Sequence, residues 1–116
     1  MRFRKILVVD NNEVSLNTLT TLLQPVFSIT TANNGVTALA LYIAGHFDVV
    51  VTDDEMPEMN GLALCQRVSP TTPVYMISSD AIQPQALAAG ATRFFDKGNV
   101  LRLAEHLKDV YGVQRK

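Results

Sequence analysis

Val49-Val50-Val51-Thr52-Asp53-Asp54-Glu55 passes from a continuous β-branched run straight into three carboxylates. The run does not alternate apolar with polar, so both faces of the segment call for apolar cover, as in an interior strand of a parallel sheet. The same construction occurs twice more. Ile6-Leu7-Val8-Val9 stops at Asp10-Asn11-Asn12, and Val74-Tyr75-Met76-Ile77 stops at Ser78-Ser79-Asp80. Two weaker strands are predicted over 28–32 and 93–95.

Between these runs the apolar period becomes helical. Leu16, Leu19, Leu22 and Leu23 share one face, with Asn12 as N-cap and Pro25 as the stop. Asn34-Gly35 reads as a turn, followed by a second helix through Ala38, Leu39, Leu41, Tyr42 and Ile43 that closes near Gly45. A third runs from Gly61 to Val68, ahead of Ser69-Pro70. Pro84 suits the first turn of a fourth, which ends at Gly90. Val100, Leu101, Leu103, Leu107, Val110 and Tyr111 build the last. Five strand–helix units in succession predict right-handed crossovers and a doubly wound parallel sheet with helices on both faces.

The chain has 116 residues, enough for one domain, and we read residues 1–116 as a single one. Ten Lys and Arg balance eleven Asp and Glu, for a net charge of -1, which gives no bias toward nucleic acid or acidic lipid. Basic residues cluster in Met1-Arg2-Phe3-Arg4-Lys5, but the apolar run behind them is far too short for a signal peptide or membrane span. A cytoplasmic location and no membrane partner are the expectation. Cys65 is the lone cysteine and reads as a small buried side chain. His46 and His106 read as surface residues, and Gln114-Arg115-Lys116 as a solvated end.

In an open parallel sheet, sites form at the carboxyl ends of the strands. Here those ends carry Asp10 and Asn11, Asp53, Ser78 and, beyond the fifth strand, Lys97. Clustered carboxylates stay ionised together when a cation joins them, and Mg²⁺ suits oxygen ligands with retained waters. A lysine and a rotatable hydroxyl add what an incoming phosphoryl group needs, since its transfer depends on positioning and charge neutralisation. Asp53 is the candidate nucleophile.

With these residues in view, the chain resembles the receiver (CheY-like) domain of two-component response regulators over essentially its whole length. The likeness rests on Ile6 to Glu13, Asn34-Gly35 with Ala38-Leu39, Asp48 to Asp53, the stretch Asp54-Glu55-Met56-Pro57-Glu58-Met59-Asn60-Gly61, Pro73 to Ser78, and Gly90-Ala91 with Phe94 and Lys97. The resemblance implies a flavodoxin-like sheet of order 2-1-3-4-5 and a phosphoryl group taken from a histidine kinase or histidine phosphotransfer protein. It implies Asp53 as phosphoacceptor, Lys97 as the phosphoryl-contacting lysine, and Ser78 and Phe94 as switch residues. It also implies a Mg²⁺ site on Asp10, Asn11, Asp53 and the Glu55 backbone carbonyl. Output, and possible pairing of two copies, would use the face of the fourth helix, fifth strand and last helix.

Asn11 departs from the family's acidic pair: an amide keeps the oxygen but loses the charge, which predicts weakened Mg²⁺ binding. Glu55 and Asp80 stand two residues beyond the acceptor and the hydroxyl, at the pocket rim. Either both are solvated loop acids or Glu55 restores the charge missing at Asn11. Gly98 follows Lys97 where the family often has proline, and the fourth helix is expected to be about one turn short. Three functions follow: a phosphorylation-controlled switch, a degenerate receiver acting only as an interaction module, and an aspartate-nucleophile phosphatase using the Asp53–Glu55 spacing. The chain offers no segment for a substrate cap, which weighs against the phosphatase. Self-phosphorylation and its reversal at Asp53 are the most enzyme-like chemistry expected.

Overall fold

The computed structural model describes residues 3–112; Met1-Arg2 and Val113-Gln114-Arg115-Lys116 lie outside them. The elements alternate as β1 (Lys5–Val9), α1 (Glu13–Leu23), β2 (Ser28–Ala32), α2 (Gly35–Ala44), β3 (Val49–Asp53), α3 (Gly61–Val68), β4 (Val74–Ser78), α4 (Gln83–Ala88), β5 (Arg93–Asp96) and α5 (Val100–Tyr111). A 3-10 turn at Lys97–Asn99 joins β5 to α5. The strands form one sheet in the order β2-β1-β3-β4-β5, every pair parallel. The doubly wound reading of the sequence and its strand order are both observed.

The unbroken apolar runs are explained by cover on both faces. Every residue of β3 and β4 is buried. Because successive side chains point to opposite faces, Ile6, Val8, Val49, Val51, Tyr75 and Ile77 pack under α1 and α5 with Leu19, Leu23, Leu103 and Leu107. Leu7, Val9, Val50, Val74 and Met76 pack on the other side with Leu64, Cys65, Val68 and Ala86. Each fully buried aliphatic side chain stabilises the fold by about 1.5–3 kcal/mol. Cys65 is fully buried among these residues, as a small apolar side chain would be.

Three helices begin alike. Asn12, Asn34 and Asn60 are extended, and their side chains accept from the backbone N–H of Ser15, Thr37 and Ala63, each cap being worth about 1 kcal/mol. This corrects the expected turn at Asn34-Gly35: Asn34 is the N-cap of α2 and Gly35 its first residue. An asparagine before glycine signals a hairpin turn only where strands flank it, and here a helix follows. Helix α4 has six residues, no side-chain cap and Pro84 in its first turn, and the chain leaves it through Gly90 at φ +107°.

Candidate functional site

The chain runs from β1 outward to β2 and then returns to place β3 on the other side of β1, so the crevice of the sheet opens above β1 and β3. Val9 is paired with Thr52, which brings Asp10 and Asp53, the next residue of each strand, out side by side. Asp10 is fully buried and Asp53 nearly so, at 4% exposure. Lys97, just past β5, reaches both: its Nζ lies 3.2 Å from Asp10 Oδ2 and 3.3 Å from Asp53 Oδ2.

The other oxygen of each carboxylate is held by backbone. Asp10 Oδ1 accepts from the N–H of Asn12 at 2.9 Å, and Asp53 Oδ1 from the N–H of Asp54 at 2.8 Å. The Thr52 hydroxyl donates to the Asp53 carbonyl, fixing the strand end. Gly61, the first residue of α3, donates its N–H to the Asp54 carbonyl, and a Cβ there would collide with the Asp53 carbonyl oxygen. A Cβ on Gly35 would likewise meet the Met59 carbonyl. The Met-Pro-x-Met-x-Gly loop is thus pressed between the starts of α2 and α3, and its glycines are required by close backbone approach.

One cation between two buried anions leaves a charge deficit. Burial first, and the Asp10 carboxylate second, push Asp53 up to about 7, against the lowering pull of Lys97. For Lys97, burial disfavours the ammonium, yet the bond and charge of Asp10 and the charge of Asp53 outweigh it and raise its pKa. Asp10 Oδ2 is buried and, apart from the Lys97 ion pair, makes no directed hydrogen bond. Two buried carboxylates, one with an oxygen unsatisfied, fit a hard divalent cation that accepts one or two carboxylates and keeps its waters.

The remaining candidates divide. Ser78 is fully buried at the end of β4, and its Oγ accepts from the N–H of Asp80 at 2.9 Å. That bond is the local role open to any strand-end serine, and it leaves the hydroxyl hydrogen free to donate. Phe94 is half-buried and packs against the α2–α3–α4 side of the core, lining a surface groove with Ser79, Asp80, Pro84 and Asp96. Asn11 is exposed beside Glu13, Thr31 and Thr37, and no hydrogen bond ties its side chain to Asp10, Asp53 or Lys97. Glu55 and Asp80 are exposed, and their carboxylates gather with that of Asp54, all within 4.8 Å of one another.

Asp54 is a contributor that the sequence did not single out, through both its N–H and its place in that acidic rim. His46 is exposed, 3.5 Å from Asp48, as expected. His106 is not the surface residue expected: it is half-buried against Tyr75 and Phe95. Its neighbours come from β4 and β5, and no local pattern in α5 announces them.

A sequence model of the response regulator receiver domain matches residues 6–108. The chain belongs to that family. Among curated proteins it is 33% identical, over 90% of its length, to protein-glutamate methylesterase/protein-glutamine glutaminase 3 of Rhodospirillum rubrum. It is 35% identical, over 80% of its length, to the response regulator PleD of Caulobacter vibrioides. It is also similar to the sensor histidine kinase RcsC of Escherichia coli, at 36% identity over 66%. The chain spans only 32%, 22% and 8% of those proteins. Among solved structures, the chemotaxis protein CheY4 of Vibrio cholerae superposes with a TM-score of 0.84 at 28% identity, covering 93% of this chain and 98% of that one. The beryllofluoride-activated DrrB receiver domain gives 0.82 at 28%, covering 94% and 97%. Receiver domains operate in two-component systems with histidine kinases, and this receiver carries an acidic cluster compatible with Mg²⁺. No helix among the described residues is long and apolar enough to cross a membrane.

Proposed function

We propose that Asp53 is the phosphoacceptor of this receiver domain. The observation that carries the reading is the sharing of Lys97 between two buried carboxylates, Asp10 and Asp53, at the crevice of the sheet. Asp53 Oδ2 attacks phosphorus in line with the departing imidazole of a phosphohistidine. The new O–P bond forms as the N–P bond breaks, and the imidazole leaves with the bond electrons and takes up a proton. Lys97 is placed to meet the added negative charge, and Ser78 to donate its hydroxyl to a phosphoryl oxygen. Mg²⁺, held by Asp10, Asp53, the Glu55 carbonyl and the Asn11 amide oxygen, would neutralise charge on the transferring group.

The phosphoryl donor is a histidine kinase or a histidine phosphotransfer protein, and a cytoplasmic location suits both. Once Asp53 is phosphorylated, Ser78 and Phe94 bias the face made by α4, β5 and α5. Exposed Leu87 on α4 and Leu101 on α5 support that face as a contact surface, including for a second copy. An interaction-only role is disfavoured, because it gives no reason to bury two like charges around one lysine. Residues 1–116 are taken as one domain.

The test is the intact mass after incubation with Mg²⁺ and acetyl phosphate, alongside Asp53→Ala. A hydroxylamine-labile gain of one phosphate, absent in the variant, is the expected result. No gain under those conditions, with beryllofluoride also failing to bind, overturns the reading.

A further inference from the structure

Away from the acidic crevice, four side chains from β4, β5 and α5 form a continuous polar chain. Arg93 Nη1 lies 3.1 Å from His106 Nδ1, His106 Nε2 lies 3.3 Å from the Tyr75 hydroxyl, and that hydroxyl lies 3.0 Å from the Tyr111 hydroxyl. Tyr75, the second residue of β4, is almost entirely buried. The His106 ring also packs on the rings of Tyr75 and Phe95, with centroids 5.4 and 6.0 Å away, and the Arg93 guanidinium covers the other aromatic, 4.7 Å from the Phe95 ring centre.

One arrangement of protons satisfies the whole chain. A guanidinium only donates, so His106 Nδ1 must be the unprotonated, accepting nitrogen. Nε2 then carries the hydrogen and donates to Tyr75, which leaves the Tyr75 hydroxyl hydrogen to donate to Tyr111. The order of donation runs from β5 through α5 to β4 and back to the last turn of α5. Only the bond from Arg93 needs the imidazole neutral, because an imidazolium still donates from Nε2 to the Tyr75 hydroxyl.

We propose that His106 is a pH-sensed latch that fastens α5 to β5 through Arg93 while the imidazole is neutral, and loosens on protonation. A proton on Nδ1 would abolish the bond from Arg93 and set an imidazolium against a guanidinium 3.1 Å away. The charged and titratable groups around the ring are Arg93 on β5, Tyr75 on β4, and Asp109 and Tyr111 on α5, with Arg4 stacked on the far Tyr111 ring at 5.9 Å. Arg102 and Glu105 on α5 are exposed. Asp109 alone among them favours the imidazolium; burial and Arg93 oppose it and hold the pKa below the ordinary 6.5. Stability from the neutral latch is therefore present above 6.5 and is lost as the pH falls through the lowered value. The latch involves no residue of the acidic crevice, so the response is independent of Asp53 chemistry.

The test is an NMR titration of the chain from pH 8 to pH 4.5. The expected result is an Nε2–H tautomer of His106 at pH 8 and a midpoint below 6.5. Amide protection across Leu107–Tyr111, corrected for intrinsic exchange, should fall with that same midpoint, while α3 keeps its protection. Arg93→Met, at an exposed position, should raise the midpoint, and His106→Gln should remove the pH response of α5. An Nδ1–H tautomer, an unmoved midpoint in Arg93→Met, or the same α5 response in His106→Gln overturns the proposal. Should His106→Gln not fold, the tautomer and the Arg93→Met midpoint decide it.

Discussion

Gly61 stands so close to Asp53 that a Cβ on the glycine would occupy the space of the Asp53 carbonyl oxygen. The end of β3 and the start of α3 therefore touch backbone to backbone, and the acceptor carboxylate is set by that contact as well as by its own strand. Gly61→Ala should force the two apart. The cost of such overpacking is about 1–3 kcal/mol, seen as a lower urea midpoint with an unchanged slope. Phosphorylation from acetyl phosphate should slow in the same variant, because the displaced group is the peptide bearing Asp53. An unchanged midpoint and rate would show that the loop yields freely.

The raised pKa of Asp53 predicts how stability varies with pH when no divalent cation is present. An acid that binds its proton more tightly folded than unfolded favours the fold at low pH. That contribution is lost as pH rises from 3.8 through about 7. The penalty at pH 8 is on the order of 4 kcal/mol, with the attraction of Lys97 already counted in it. Asp53→Asn should recover most of it, so the variant should be the more stable protein at pH 8 and lose its advantage near pH 4. Urea titrations of both chains in EDTA at a series of pH values give the comparison; parallel curves would contradict the assignment.

Lys97 makes the opposite prediction. Its removal leaves Asp10 and Asp53 buried without their shared cation, and breaking a buried pair on one side typically costs about 3–5 kcal/mol. Lys97→Met should therefore be destabilised by about 3 kcal/mol at pH 8. It should recover as pH falls and Asp53 takes up its proton. A loss of stability that does not vary between pH 5 and pH 8 would assign Lys97 a packing role instead.

Sequence and structure agree wherever one residue type answers one local demand. Val49 to Val51 could only be an interior strand, because a half-exposed one would alternate. Asp10 and Asp53 could be placed together because each ends such a strand, and parallel register then brings them side by side. Asn12 caps its helix by a mechanism that needs four consecutive residues and nothing else. What was not legible depends on contacts across the fold. Lys97 serves two carboxylates rather than one, Asn11 is exposed beside β2 and α2, and His106 is half-buried by side chains 31 and 13 residues away. Gly98 gives an intermediate case. Its N–H donates to Asp96 Oδ2 at 2.9 Å, a bond that the family's usual proline cannot make.

Glu58 is the one non-glycine residue at positive φ among those described, at 72°. It sits in the loop between Asp53 and α3, where Met59 N–H bonds back to the Pro57 carbonyl and tightens the turn. A side chain in the left-handed region costs about 1–2 kcal/mol, and glycine relieves it at the expense of a more flexible unfolded chain. Glu58→Gly should therefore stabilise by about 0.5–1 kcal/mol. Because Glu58 is exposed and outside the acidic rim, the rate of Asp53 phosphorylation should stay within about twofold. A slower rate in a more stable protein would mean that the strained turn helps to hold the acceptor in place.

Asn11 and the acidic rim give the last prediction. If the amide weakens Mg²⁺ binding, Asn11→Asp should tighten it by about tenfold or more, within the 10–100-fold range by which changes around a metal alter affinity. The carboxylates of half-buried Asp54 and exposed Glu55 and Asp80 lie within 4.8 Å of one another and supply negative charge near the same place. If they compensate for Asn11, Glu55→Gln should weaken Mg²⁺ in the natural chain and matter less in Asn11→Asp. Calorimetric titration of the four combinations measures that coupling directly. Equal effects of Glu55→Gln in both backgrounds would make the rim a set of solvated loop acids. A loss confined to the asparagine background would make Glu55 the residue that stands in for the missing aspartate.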